Sequence, residues 1–216
     1  MKPSPFFPIS PMLVSTMNQH VPAQAPRAPT QAAEGLPRWR WTTAELLRLA
    51  ELGAFTRDDR FELIGGEIVP MSPSGRRHEV IAEELHKWWV RRCCPPDIWV
   101  AKESQFNLSD DTYTKPDLLV HPDHIKAYDL RGGSALLVVE VADTSIYVDR
   151  HAKAALYAFH GVREYWVINA NSLETTVHRA PTTSGYGDVR DVAASATLTP
   201  LLAPALAIRL ADLDLA

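Results

Sequence analysis

Hydrophobic and polar positions fall in blocks whose period changes several times along the chain. Between Thr42 and Gly53, Leu46, Leu47, Leu49 and Ala50 follow helical spacing. Thr42-Thr43-Ala44-Glu45 ahead of them reads as a capping box, a hydroxyl and a carboxylate satisfying the free amides of a first turn. Phe61-Glu62-Leu63-Ile64 and Glu67-Ile68-Val69 then alternate about Gly65-Gly66, a pair that supplies the positive φ angles of a tight hairpin. After Pro73-Ser74-Gly75 the spacing predicts a helix from His78 to Arg92, with Ile81, Leu85 and Trp88 as its buried stripe and Glu83–Lys87 as an i, i+4 pair. Strands are predicted from Ile98 to Leu108, Tyr113 to Val120 and Ala135 to Val141. A helix from Arg150 to His160 should bury Ala152, Ala155, Leu156 and Phe159 and stop at Gly161. Glu164 to Ile168 and Glu174 to His178 read as paired strands, and the apolar stretch from Leu198 to Leu215 as a closing element. Strands in a run with helices inserted predict an α/β fold (α+β, a mixed sheet flanked by helices) around one central sheet.

The first 37 residues depart from this patterning. They hold eight of the seventeen prolines and only three charged side chains, Lys2, Arg27 and Glu34, so they read as a disordered tail ahead of a single domain over 38–216. Pro3, Pro5, Pro8 and Pro11 interrupt any apolar run after Lys2, which argues against a signal peptide, and Met17 is an alternative start. No apolar run approaches the roughly 20 residues that cross a bilayer, so no membrane partner is expected. Cys93 and Cys94 are neighbours, a poor geometry for a bridge, so free thiols in a reducing cytoplasm are expected. With 22 basic and 26 acidic residues the net charge is −4, which gives no global pull towards nucleic acid. The candidate local basic patches are Arg76-Arg77-His78 and Lys87 with Arg91-Arg92.

Chemistry concentrates between Pro116 and Lys153. Asp117 heads the apolar run Leu118-Leu119-Val120, and Glu140 sits inside Leu136-Leu137-Val138-Val139-Glu140-Val141. An ionised group within a hydrophobic strand is costly unless a partner compensates it. If the two strands are neighbours, alternation lets both carboxylates lie at one sheet edge, where oxygen ligands suit Mg²⁺ and a metal-activated water. Lys153 on the following helix has the reach to join them, either to activate water or to offset developing charge. A plainer account stands beside this one. Asp149 and Lys153 are spaced as an ordinary helix ion pair, and Asp117 follows a proline where acids accept turn hydrogen bonds. Glu140 is the residue that account explains least well.

Six motifs occur in order: Phe61-Glu62-Leu63-Ile64-Gly65-Gly66-Glu67, Pro73-Ser74 before His78, Pro116-Asp117-Leu118, Glu140-Val141 with Ser145, Lys153 with Tyr157, and Gly161-Val162-Arg163-Glu164-Tyr165-Trp166-Val167. Together they resemble the Uma-type family of restriction endonucleases in the PD-(D/E)XK nuclease superfamily. The resemblance spans Trp39 to Leu215 and implies a restriction-endonuclease-like core with Mg²⁺-dependent hydrolysis of DNA, Mn²⁺ being a substitute. It implies that Asp117 and Glu140, with the main-chain carbonyl of Val141, hold the metal. The superfamily's usual lysine position is Ala142 here, so Lys153 takes that role in the resemblance, and Glu62 becomes an additional metal or water ligand. His78, with Arg77 beside it, is a candidate phosphate contact, and solvent-exposed capping is the alternative.

The sequence therefore supports a metal-dependent endonuclease with DNA as partner. The competing readings are a catalytically degenerate module that binds nucleic acid or protein, and a hydrolase of smaller phosphoesters. Homodimerisation through Trp88, Trp89 and the C-terminal segment is a further expectation, with core packing as its alternative.

Overall fold

The structure, a computed structural model, describes residues 38–56, 59–71 and 73–215. The proline-rich tail over 1–37 lies outside them. The chain runs through α1 (Thr43–Glu51), β1 (Phe61–Ile64), β2 (Glu67–Pro70) and α2 (Arg76–Trp88), which continues as a wider π-type turn over Trp89–Cys93. Next come β3 (Ile98–Lys102), β4 (Phe106–Ser109), β5 (Thr112–Thr114), β6 (Leu118–Pro122) and β7 (Leu137–Ala142). A helical segment comes after them as α3 (Ile146–Val148), a π-type turn over Asp149–Lys153, and α4 (Ala154–Phe159). The last strands are β8 (Glu164–Asn169), β9 (Thr175–Thr182) and β10 (Gly185–Val192).

Local signals hold where they rest on caps and turns. Thr42 and Glu45 form the reciprocal capping box of α1. Gly65 and Gly66 take φ of +57° and +79° in the β1–β2 hairpin, and a side chain at Gly66 would also strike Arg40. Glu83 and Lys87 pair at 3.5 Å. Cys93 and Cys94 are free thiols.

The single central sheet expected from the strand run is instead two sheets. Six strands in the order β10-β9-β8-β7-β6-β3 form the main sheet, antiparallel except for the parallel β7–β8 pair. Four strands in the order β2-β1-β5-β4 form the second. Each of the two long strands expected between Ile98 and Val120 is cut in half, one half per sheet. The first break is at Glu103, whose φ of +48° turns the chain out of the ladder. At the second, Lys115-Pro116-Asp117, proline has no N–H to offer a ladder and the strand must end.

The main sheet is buried on both faces. One face carries Val100, Val120, Val139, Val141 and Trp166 against Ile81 and Leu85 of α2, Trp89 and the C-terminal segment. Trp89, not Trp88, completes the α2 stripe, and its indole N–H donates to the Leu206 carbonyl at 2.8 Å. That hydrogen bond and the burial of Leu206, Ile208 and Leu210 put Trp89 and the C-terminal segment in the core. Trp88 is half-buried beneath the Arg92 guanidinium, 4.0 Å from its ring centre. The other face carries Leu119, Val138 and Val167 against Phe106, Ala154 and Tyr157. The helical segment over 146–159 buries Ala154, Tyr157 and Ala158 in place of the stripe its spacing predicted. Ala152 and Ala155 are exposed and Phe159 is 64% exposed. Among the described residues no helix is long and apolar enough to cross a membrane.

Candidate active site

The acids predicted to converge do so at the end of the β6–β7 ladder. Their last paired residues are Leu118 and Val139, and one step further the Asp117 side chain takes the place of a strand partner. Its Oδ2 accepts the Val141 N–H at 2.7 Å. Strand alternation turns the Val141 carbonyl to the same side as that N–H, towards Asp117. Glu140 points from β7 to the face that Leu119 and Val138 share, and is 5% exposed. Lys153 reaches this point from the helical segment: its Nζ lies 2.9 Å from Glu140 Oε1, 3.2 Å from Glu62 Oε1 and 4.0 Å from Asp149 Oδ1. The i, i+4 contact to Asp149 is thus the longest of the three, and the helix ion pair is not what holds the lysine. Glu62 projects from β1 opposite the core face of Leu63 and is anchored by the Lys115 N–H at 3.0 Å. It is 3% exposed, which excludes the solvent-facing alternative.

Three carboxylates (Glu62, Glu140, Asp149) therefore surround one ammonium, and the fourth acid, Asp117, stands near enough to Glu140 to act on it. Burial pulls the Lys153 ammonium towards deprotonation, but Glu140, Glu62 and Asp149 outweigh it and raise its pKa. Burial pushes Glu140 well above the usual carboxylate range, with Lys153 opposing and the neighbouring acids reinforcing. Asp149 is also raised by burial, against the Ser145 hydroxyl that donates to its Oδ2 at 2.5 Å.

His78 and Arg77 part company. His78 Nε2 stands 2.8 Å from Asp117 Oδ2, close enough for an ion pair but without the alignment of a hydrogen bond. Burial lowers the imidazole pKa, and Asp117 together with Glu103 and Glu79 outweighs it, for a net rise. Arg77 turns away: its guanidinium donates to the carbonyls of Ala170 at 2.5 Å and Asn171 at 3.2 Å, fastening α2 to the β8–β9 turn. Asp143 accepts from the Asn171 amide and so supports the same loop. Tyr157, in sequence no more than one letter of a motif, has its hydroxyl 3.3 Å from Glu140 Oε1 and 3.1 Å from Thr114 Oγ1. Asp149 reads from sequence as a helix pair, and Asp143 with Thr144-Ser145 as a loop support for the site or as turn caps. Only the fold carries Asp149 and Ser145 to the cluster.

These groups open into a cleft of about 750 Å³ between the β1–β2 hairpin and the helical segment. Among the described residues no three His, Cys, Asp or Glu side chains stand as a ready-made metal cage. The donor chemistry nevertheless suits a hard divalent cation. No hydrogen bond among the described residues reaches Asp117 Oδ1 or Glu140 Oε2, and four acids against one lysine leave an excess of negative charge. Mg²⁺ characteristically takes one or two carboxylates and completes its octahedron with water and substrate oxygen.

The mixed sheet with an acid pair at a ladder end, flanked by helices, is the architecture of a restriction-endonuclease-like α/β protein. A crystal structure titled as a putative nuclease belonging to DUF820, from Anabaena variabilis, shares it with a TM-score of 0.60, covering 79% of this chain and 96% of that one at 17% identity. The Uma2 family, described as "Putative restriction endonuclease", matches residues 43–212, and the chain belongs to that family. No curated protein matches the sequence.

Proposed function

We propose that the protein is a metal-dependent nuclease that hydrolyses DNA phosphodiester bonds in this cleft. Asp117 and Glu140, with the Val141 carbonyl, would hold Mg²⁺ (or Mn²⁺), Glu62 would order water, and Lys153 would offset charge on the phosphate. The observation that carries the reading is the meeting of Lys153 with Glu140 at 2.9 Å and Glu62 at 3.2 Å, beside Asp117, from four separate segments of chain. A metal bound there would make a coordinated water more acidic and offset charge on the leaving oxygen. The chain's own residues supply the rest. Lys153, with carboxylates on three sides, is a positioned cation rather than a proton acceptor, so it stabilises negative charge building on a phosphoryl oxygen. The Val141 N–H fixes the Asp117 carboxylate, and the Tyr157 hydroxyl helps to fix that of Glu140. His78, which lines the cleft beside Asp117, is the candidate donor to a phosphate seated there.

The test is incubation of the full chain with single-stranded and duplex circular DNA in Mg²⁺ or Mn²⁺, with and without EDTA. Metal-dependent strand scission that falls at least 100-fold in Asp117→Asn and in Lys153→Ala is expected, in line with losing a transition-state electrostatic contact. Intact DNA with retained binding favours a degenerate binding module. Turnover of a small phosphoester without DNA cleavage assigns the site to another substrate. The same reading puts the protein in the reducing cytoplasm, with Cys93 and Cys94 as thiols.

A further inference from the structure

The helical segment over 146–159 leaves an apolar stripe uncovered. Val148, Ala152, Leu156 and Phe159 recur one turn apart and line the cleft, while Ala154, Tyr157 and Ala158 face the core. Val148 is 51% and Phe159 64% exposed. Across the cleft stand Ile64, Val69, Pro70 and Met71 of the hairpin, so two apolar walls rise from the acidic floor.

Charge decides what these walls receive. The cleft's acids are Glu62, Asp117, Glu140, Asp143 and Asp149; among the described residues its only Lys or Arg side chains are Lys153 and Arg60. Lys153 is held by the floor acids and Arg60 pairs with Glu103 at 3.3 Å. Nearby, Arg77 is tied to main-chain carbonyls and Arg150 to Thr176 and Asp191, while Arg76 at the start of α2 is exposed and outside the cleft lining. A closed duplex turns its phosphates outward and depends on Lys and Arg to receive them. An unpaired strand also carries phosphates, but it adds the flat faces of its bases, which pack on aromatic and apolar side chains and make up part of the affinity that cations do not supply.

Resting on the nuclease reading above, we infer that the cleft takes unpaired nucleic acid, one nucleobase packing on Phe159 and Leu156 against Val69 and Met71 while its phosphodiester reaches Asp117 and Glu140. The bases, rather than the phosphates alone, then supply much of the affinity.

The test uses the full chain with Ca²⁺ in place of Mg²⁺, to measure binding without turnover. Labelled oligo-dT, oligo-U, a duplex of the same length, and an abasic strand of equal phosphate count are compared by fluorescence anisotropy. The single strand should bind at least tenfold tighter than the duplex and than the abasic strand. Phe159→Ala should lose about tenfold on the single strand and little on the abasic one, with unchanged melting temperature because the ring is exposed. Preference between oligo-dT and oligo-U assigns DNA or RNA, and either supports the inference. Equal affinity for base-bearing and abasic strands, or a tighter duplex, overturns it. So does a dimer dissociated by Phe159→Ala, since the stripe would then be an interface between copies. Metal-dependent cleavage that ignores base content leaves the nuclease reading standing alone; absence of both cleavage and binding overturns the two together.

Discussion

Replacing Lys153 with methionine keeps the length of the side chain and removes its charge. In the parent, Nζ stands 2.9 Å from Glu140 and 3.2 Å from Glu62, with the lysine side chain 16% exposed and the two acids 7% and 4%. Removing one partner of a buried ion pair costs about 3–5 kcal/mol, because the remaining charge is left in a poorly solvating place. Here the cost falls at the upper end, since the same ammonium also faces Asp149 at 4.0 Å and Glu140 lies in the field of Asp117 as well. For a domain of this size each kcal/mol moves the melting point by roughly 2–4 °C, so Lys153→Met should melt roughly 10–20 °C lower at neutral pH. Urea unfolding of the parent, Lys153→Met, Glu140→Gln and the double variant forms a thermodynamic cycle. The double variant should recover about half of the single variant's loss, because the most buried orphan charge has been neutralised. A single-variant loss under about 0.5 kcal/mol, or a coupling near zero, would refute the claim that this ammonium holds the acid cluster together.

Three other outcomes are expected from separate parts of the molecule. Mg²⁺ at about 100 times its dissociation constant should stabilise the parent by about 2.7 kcal/mol and leave Asp117→Asn unmoved; thermal melts with and without EDTA decide this. His178 is 4% exposed, its Nε2 has no hydrogen-bond partner among the described residues, and burial, then Arg150, lowers its pKa from 6.5 to about 4. A depressed histidine contributes stability that is full above pH 6.5 and is lost as pH falls towards 4. Acid should therefore remove up to about 3 kcal/mol in that window, and His178→Phe should flatten the slope in pH-dependent urea melts. A methyl at Gly132 would sit 1.9 Å from the His160 carbonyl oxygen, so Gly132→Ala should cost about 1–3 kcal/mol in chemical unfolding.

Local chemistry was legible in the residues themselves. The Thr42–Glu45 box, the Gly65-Gly66 hairpin and the positive φ at Gly161 each depend on a few neighbours in sequence, and each appears as expected. So does the burden on Glu140, because an acid between valines demands a partner wherever the strand goes. The order of six motifs was enough to point to the family. Strand breaks were not legible, since Glu103 and the Lys115-Pro116-Asp117 step leave hydrophobic alternation almost unbroken on either side.

Tertiary structure alone decided which face of each element meets which neighbour. An amphipathic period shows that the helical segment has an apolar side, but Ala154 and Tyr157 contact the sheet beyond the π-type turn over Asp149–Lys153, whose wider turn shifts the phase of the side chains that follow. Phe159 is left lining the cleft, and Lys153 lies closer to Glu140 than to its helix partner Asp149. Arg77 likewise looked like a phosphate contact until the fold brought main-chain carbonyls to it. Sequence determined which groups need compensation; the packing of two sheets against one helix determined which groups supply it, because burial and distance are properties of elements far apart in the chain.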